Sequence, residues 1–507
     1  MFTRIKHLLF GAPKPAMTSA NAPVVRAPQT MKVRVIRGRY DAAQTTDNNR
    51  RHWAMADALS ANAANLPMIR RTLRMRTRYE VANNSYARGI VLTLANDTIG
   101  TGPRLQMLSA DQQVNHTVER EFAQWVLATS LPDKLRTLRM AKAEDGEGFG
   151  ILISNPLIES PVKLDVKLVE ADQVATPILK YLTPQFIDGI VLDPYGNPIE
   201  YHVLKQHPGD LLVRFALEFD RIPAASMLHY YRMDRPGQSR GIPELTSALP
   251  LFAMLREYSL ATLDAAKAAA YFAGILYTDA PANGESDALE PMDSIELERN
   301  TLMTMPGGWK MGQIHAEQPA ATYAEFKREV LNEIARCLNM PFNIAAGNSS
   351  GYNYASGRLD HQTYYKAIRV EQTQIGATIL DRIFTAWMRE AVLIEWFLPQ
   401  AARLASADWS HQWFWDGHEH VDPAKEANAQ QTRLTNNTTT LAEEYAKRGR
   451  DWEAELRQRA KELALMRQLG IEVSQPTPGA NTPPSPAAVS VDDGDDPNVS
   501  EEAADDA

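Results

Sequence analysis

Residues 339–358 form a polar, glycine-punctuated stretch between two strongly helical segments, and few folds accommodate that arrangement. Upstream, Thr322 and Glu325 have the spacing of a capping box, and Phe326, Val330, Leu331, Ile334 and Leu338 share a helical face until Pro341 ends it. Downstream, Tyr365, Ile368, Ile375, Ile379, Ile383, Trp387 and Leu393 keep a near-helical period from Leu359 to Pro399. A helix of roughly 40 residues extends about 60 Å, and few globular enzymes need one so long. A loop of small residues closed by two helices is ordered only if something outside the helix pair holds it. Neighbouring subunits supply such a hold, so the chain reads as one segment of an assembly.

The chain has 507 residues, 44% hydrophobic and 23% charged, enough for two or three domains with cores of their own. Its one cysteine, Cys337, excludes a disulfide framework and suits a small buried residue in a reducing cytoplasm. Met1 to Gly11 holds too short an apolar run for a secretory signal, and no window reaches the roughly 18 apolar residues of a membrane span. The net charge is −9, and residues 472–507 alone hold nine acids and no base, so residues 1–471 carry no net charge. That tail, rich in Pro, Ala and Ser, is expected to be disordered. Lys32 to Arg104 instead has thirteen Lys or Arg against five acids. Such a run is a solvated helix face, or a contact for nucleic acid or an acidic partner.

Residues 12–31, rich in Pro, Ala and Thr, predict an extended arm. Helices are expected from Asp57 to Ala95, broken at Leu66-Pro67 with Ile69, Leu73, Tyr79, Val81, Ile90, Val91 and Leu94 supplying apolar positions, and from Val114 to Leu127, with Val118, Phe122, Trp125 and Val126 inward. The period then shortens to that of strands at Phe149–Ile153, Leu164–Val169, Ile187–Leu192, Glu200–Lys205 and Met227–Tyr231, with a hairpin turn at Asp193 to Pro198. A continuous helix from Pro250 to Tyr277 follows, with seven alanines between Ala261 and Ala273. Short strands around Pro306 separate it from the helix at Thr322. Near the end, Asp422 caps a helix with Pro423 at its first position, Thr440 and Glu443 form a capping box, Gly449 is a stop and Asp451 a restart. The fold class is α+β.

The chemical motifs are weak. Gly347-Asn-Ser-Ser-Gly351 matches Gly-x-Ser-x-Gly, but Phe342 to Ala346 is too short for the strand of a nucleophile elbow and no parallel βαβ alternation surrounds it. His418, Glu419, His420 and Asp422, with His411 nearby, contain metal-ligand types without HExxH spacing. Glu144, Asp145 and Glu147 among Gly146, Gly148 and Gly150 resemble a phosphate loop only superficially, because three carboxylates repel phosphate. Trp409, Trp413, Phe414 and Trp415 suit core or interface packing better than base stacking. No Walker motif is present, so the chain is not expected to hydrolyse nucleotides, and neither a catalytic constellation nor a metal or cofactor site is expected.

Several segments together resemble the lambda-type family of tailed-phage portal proteins. They are the Arg70 to Arg78 run with Asn83-Asn84, Gly100-Thr-Gly102, Gln124-Trp125, Gly146-Glu147, Arg240-Gly-Ile-Pro243, Met340-Pro-Phe342, Asn353-Tyr-Ala-Ser356 with Arg358, Asp422-Pro-Ala-Lys-Glu426 and Gly449-Arg-Asp451. The similarity runs over roughly residues 35–470. Where the family usually has Asn-Tyr-Ser-Ser this chain has Asn-Tyr-Ala-Ser, one hydroxyl fewer.

The resemblance implies a homo-oligomeric ring, commonly a dodecamer, at one capsid vertex of a virion assembled in host cytoplasm. Residues 1–31 would be a flexible arm, 32–242 the wing, 243–277 the first stem helix, 278–321 the clip and 322–340 the second stem helix. Residues 341–358 would be the tunnel loop, 359–421 the long wing helix and its return, 422–471 the crown and 472–507 the acidic tail. The implied partners are the terminase large subunit, major capsid and scaffold proteins, a head-completion or adaptor protein, and double-stranded DNA bound non-specifically, with no membrane. Asn348, Ser349, Ser350, Asn353, Tyr354, Ser356 and Arg358 would line the DNA channel. A passage must bind weakly, because phosphate contacts multiply by the number of subunits, and all of these but Arg358 are uncharged. Two other readings stand beside it: a serine hydrolase using Ser349 with Asp360 or His361, and a non-viral DNA-binding scaffold using the Lys32 to Arg104 face.

Overall fold

The computed structural model describes residues 46–471 except 48–49, 177–184, 211–217, 272–274, 279–308, 313–319, 352, 400–408, 418–422 and 447. Contacts divide the chain after Leu59, and in the first unit the described residues form turns, with Ala56 N donating to Trp53 O. The arm, most of the clip, Asp422 with its neighbouring histidines, and the acidic tail lie outside the described residues.

From Ser60 on, the chain begins with helices α1 (Ala61–Ala64), α2 (Pro67–Asn83) and α3 (Ser85–Ile99). Pro67 opens α2 at the expected break, and the Asn84 side chain caps α3 by accepting from Tyr86 N and Ala87 N. Strand β1 (Arg104–Met107) leads to α4 (Gln112–Ala128), capped by Asp111, and to α5 (Leu131–Asp145). Antiparallel strands β2 (Glu147–Ser154), β3 (Leu164–Val169), β4 (Phe186–Ile187), β5 (Ile190–Leu192), β6 (Pro198–Leu204), β7 (Phe219–Pro223) and β8 (Met227–Tyr231) form two sheets, ordered β3-β2-β8 and β4-β5-β6-β7. Helix α6 (Leu249–Tyr271) precedes a ladder of β9 (Ile275–Thr278) and β10 (Trp309–Gly312). Then come α7 (Ala320–Arg336), α8 (Phe342–Ala346) and α9 (Tyr354–Ile375), which continues through a π-helical turn, Gly376–Leu380, into α10 (Asp381–Ala391). Strand β11 (His411–Phe414) pairs with β1, and α11 (Pro423–Thr435), α12 (Leu441–Ala446) and α13 (Trp452–Gln468) close the described chain.

Several expectations need correction. Tyr277 belongs to β9, because the first long helix stops at Tyr271. Helix α7 starts at Ala320, which puts Thr322 inside its first turn instead of at its cap. The expected strand Ile187–Leu192 is two short strands folded about Asp188 and Gly189, both at positive φ. Helix α5 and strands β1, β7 and β11 were not read from the sequence. The long helix is present, but it begins earlier, at Tyr354, and ends at Ala391, leaving Leu393 80% exposed.

Three apolar clusters hold these elements. The first packs Phe122 and Trp125 of α4 and Leu135 and Leu138 of α5 against Ile383, Phe384, Trp387 and Met388 of α10, with Trp409, Trp413 and Trp415 alongside. The second joins Ile90, Val91 and Leu94 of α3 to Phe252 of α6, Leu331 and Ile334 of α7, Met340, Phe342 of α8, and Tyr364 and Ile368 of α9. The third lies between the sheets, around Phe149, Val203 and Met227. The tryptophans serve packing, and Trp413 Nε1 donates to Asp381 at 2.7 Å. Among the described residues no helix is long and apolar enough to cross a membrane.

Candidate functional site

The polar stretch after α7 is a short loop held at both ends. Asn339 turns the chain with φ 53°, and Met340 N returns to Ala335 O at 3.1 Å. Pro341, in extended conformation, starts α8, whose Phe342 and Ala345 are buried in the second cluster. Gly347, left-handed at φ 61°, ends α8, and Asn348 N bonds to Asn343 O at 3.0 Å. Asn348 Oδ1 accepts from Ser350 N at 2.9 Å, an Asx turn, and Gly351 again has positive φ. Gly347, Asn348, Ser349, Ser350, Gly351 and Asn353 are all exposed.

The loop proper is therefore 347–353, narrower than the expected 341–358. Of the residues expected to line a channel, Asn348, Ser349, Ser350 and Asn353 lie in it. Tyr354, Ser356 and Arg358 belong to the first turns of α9, where Arg358 is exposed. The chain turns at Gly351, and Gly357 N donates to Asn353 O at 3.0 Å at the start of α9.

The flanks are anchored more firmly than the sequence implied. Asn343 Nδ2 lies 2.9 Å from His361 Nε2, tying α8 to α9, and Arg328 of α7 stacks over the Phe342 ring. Tyr364 is fully buried and donates to Asp97 of α3 at 2.8 Å, and burial pushes its phenol pKa far up. About two turns further on, Gln372 Nε2 donates to Thr98 O at 3.1 Å. Glu371 accepts from Lys142 Nζ at 2.5 Å and from the Tyr230 hydroxyl. Burial alone would raise the Glu371 pKa, but Arg139 and Lys142 outweigh it and bring it down to about 2. Arg139 also pairs with Glu244 at 2.8 Å.

Beside this network lies a second, centred on Glu147, which is completely buried. Arg240 grips both of its carboxylate oxygens, at 2.7 to 3.0 Å, Arg74 binds Oε1, His229 Nε2 lies 3.1 Å from Oε2, and Gly241 N donates to Oε2 at 3.0 Å. Burial opposes ionisation, yet Arg240, His229 and Arg74 together hold the carboxyl well below its usual range. A Cβ on Gly241 would collide with Gly146 O, so these two glycines are what lets the chain at Arg240 approach β2. Arg70 pairs with Asp188, and Arg78 with Asp145 and Asp172. Arg70, Arg74 and Arg78 of the basic run are thus turned inward, while Arg71 and Arg76 are exposed. Ile69 and Tyr79, among the apolar positions of the expected helix, are 41% and 56% exposed.

The acidic, glycine-rich stretch at 144–150 accordingly supplies acceptors for buried cations. Gly148 and Gly150 leave room for Leu138 and Val166. Sequence reasoning missed Glu147, Arg240, Lys142 and Glu371 as partners because they are far apart in the chain. Glu170, Asp172 and His207 come together with metal-ligand atom types, but Arg78 pairs with both carboxylates and Arg74 with Asp172, so cations already neutralise them. Burial pushes the Cys337 thiol up to about 11, which makes it a poor nucleophile.

Ser349 lacks the setting of a nucleophile. Gly347 to Gly351 follows a helix instead of a strand, the His361 ring is engaged by Asn343, and among the described residues no hydrogen bond joins Ser349 to Asp360 or His361. What the loop offers is a set of exposed amides and hydroxyls on a backbone held at both ends.

Family comparison agrees with this non-catalytic character. The model of the phage portal proteins, lambda family, matches residues 46–372, so the chain belongs to that family, whose members are structural proteins and not enzymes. The probable portal protein of Halomonas phage phiHAP-1 is 25% identical over 431 residues, covering 79% of this chain and 81% of the relative. Portal protein B of Escherichia phage lambda is 22% identical over 354 residues, covering 62% of this chain and 63% of the relative. Among solved structures, a chain from the virion of a native gene transfer agent particle aligns with TM-score 0.41 and 16% identity, over 72% of this chain and 88% of that one. A chain from the neck of that native particle, computed with C12 symmetry, aligns at 0.42 and 15% identity, over 76% and 93%. Both scores are too low to establish a shared fold.

Proposed function

We propose that this portal protein forms a closed ring of identical subunits at one capsid vertex, a dodecamer as in the resemblance, through which double-stranded DNA enters and leaves. On this reading 32–242 is the wing, 243–277 and 322–340 the stem helices, 278–321 the clip, 341–358 the tunnel-loop region, 359–421 the long wing helix with its return, and 422–471 the crown. Terminase large subunit and later an adaptor protein dock at the clip, capsid and scaffold proteins surround the wing, and assembly takes place in host cytoplasm. The terminase supplies the propulsion.

The observation that carries this reading is the loop at 347–353, uncharged in sequence throughout, exposed at residues 347–351 and 353, and flanked on both sides by buried contacts. Charged groups in a ring would hold DNA with an affinity that multiplies over the subunits, and a conduit must avoid that. Asn348, Ser349, Ser350, Asn353, Tyr354 and Ser356 provide neutral groups for phosphate oxygens, with Arg358 at the helix start as the one cation.

Deleting Ser349 to Tyr352 tests the assignment. The expected result is normal ring assembly with packaging or retention of DNA impaired. Wild-type packaging by the deletion variant would overturn the role of the loop and leave the family assignment untouched.

A further inference from the structure

Two exposed helical stripes of opposite charge lack ion-pair partners among the described residues. On α7, Glu325, Glu329 and Glu333 recur at every fourth residue, spanning about 12 Å along an arc of about 80°. On α9, Arg358, Lys366 and Arg369 lie within a similar arc and span about 16 Å. All six are exposed, and among the described residues none forms an ion pair. The opposite faces of both helices are buried in the same apolar cluster, through Leu331 and Ile334 on α7 and Tyr364 and Ile368 on α9. Each stripe also leaves apolar groups in water: Phe326 at 43% exposure on α7, and Leu359 and Val370 at 66% and 67% on α9.

We infer that the α7 stripe of one copy of this chain docks on the α9 stripe of the next, a heterologous contact between two different faces of the same polypeptide. The two faces are opposite in sign and alike in number of charges and in length, and among the described residues neither finds an ion-pair partner in its own subunit. Exposed ion pairs contribute little one by one, but opposed charge rows set register and exclude a like face, while Phe326, Leu359 and Val370 supply area to desolvate. A heterologous contact that closes generates a ring, so the inference rests on the ring reading above and specifies its joint. A stripe lining the channel is the competing use of the α7 carboxylates, but it leaves the basic row on α9 and the three apolar groups without a cover.

The test uses two full-length variants and their mixture. In the first, Glu325→Lys, Glu329→Lys and Glu333→Lys make both stripes basic; in the second, Arg358→Glu, Lys366→Glu and Arg369→Glu make both acidic. Each alone is expected to lose ring formation by about tenfold or more in sedimentation velocity at low salt, through like-charge repulsion at every joint. Mixed in equal amounts they are expected to regain rings, because alternating copies restore opposite charges at each contact. Circular dichroism checks that each variant is folded, and the single reversals Glu329→Lys and Lys366→Glu, mixed in the same way, decide the matter if a triple variant unfolds. Rings from either variant alone at the wild-type level, including an α7 variant that assembles normally and changes only DNA retention, overturn the inference. Failure of the folded pair to assemble on mixing also overturns it. In both cases wild-type rings persist. A wild-type chain that never forms rings overturns the ring reading itself, so the two failures are distinct.

Discussion

The cluster beneath α10 and the cluster beneath α2 are both buried, but opposite chemistry holds them together. Under α10, Phe384 and Trp387 meet Phe122 edge-on, with centroids 5.6 and 5.2 Å apart, and the cohesion is apolar area removed from water. Under α2, Arg70, Arg74 and Arg240 meet Glu147, Asp172 and Asp188, and cohesion depends on every charge finding its partner. An apolar core tolerates a small loss by partial collapse. A charged core does not, because removing one member leaves the others buried and uncompensated.

The largest predicted effect follows from that asymmetry. Glu147→Ala strands Arg74 and Arg240 together and is expected to cost about 3–5 kcal/mol in chemical denaturation. The paired change Glu147→Met with Arg240→Met is expected to recover most of that loss, since an apolar pair of similar volume is often as stable as a buried ion pair. If Glu147→Ala costs no more than a surface substitution, the charged cluster is not a core at all. The wild-type dependence on pH has a fixed sign: the pKa values of Glu147 and Glu371 are lowered in the fold, so their contribution is complete above the ordinary glutamate value of 4.5 and is lost as pH falls below it, for Glu371 towards about 2.

This contrast also explains what could be read from the chain. The apolar period from Tyr365 to Trp387 gave the long helix, and strands Leu164–Val169 and Met227–Tyr231 agree with expectation to the residue, because local side-chain periodicity carries those elements. Charge patterns carry no such local signal. Arginines at 70, 74 and 78 belong to a run that the sequence left open between a solvated face and a contact surface, and only their acidic partners at 145, 147, 172 and 188, brought in by other elements, turn those three inward. Strand β1 was missed for the same reason, since its partner β11 is some 300 residues away. The loop was found by its glycines and amides. Its limits were set too wide, because Phe342 and Ala345 are buried in α8 and Tyr354 already starts α9.

A second prediction probes a site between the extremes, where Glu119 of α4 lies near Asp451 and Glu453 of α13 in a small polar pocket with His116. Burial raises the Glu119 carboxyl to about 7, the Met107 N–H bond opposes this, and Asp451 and Glu453 add to it. A raised carboxyl favours the fold while neutral, so stability is full below pH 4.5 and falls as pH rises to about 7. Glu119→Gln keeps an acceptor for Met107 N and is expected to stabilise by about 1–2 kcal/mol at pH 8, with no gain at pH 4. Equal melting temperatures at pH 8 would remove Glu119 from the list of groups under electrostatic load.

The smallest effect sharpens the comparison from the apolar side. Ile383 of α10 is fully buried in the first apolar cluster, and Ile383→Val removes one methylene and no polar group. The expected cost is about 0.5–1.5 kcal/mol, from lost transfer energy and a small residual void. It should be the same at pH 5 and pH 8, and at low and high salt, because nothing in that contact titrates or is screened. Glu147→Ala, measured in parallel, should be level between pH 5 and pH 8 as well and should cost less only as pH falls below 4.5, where the unfolded chain begins to bind the proton. If the Ile383→Val cost moved with pH as strongly as the Glu147→Ala cost, the two clusters would be one coupled network through α5, which contributes Leu135 and Leu138 to one and Asp145 to the other.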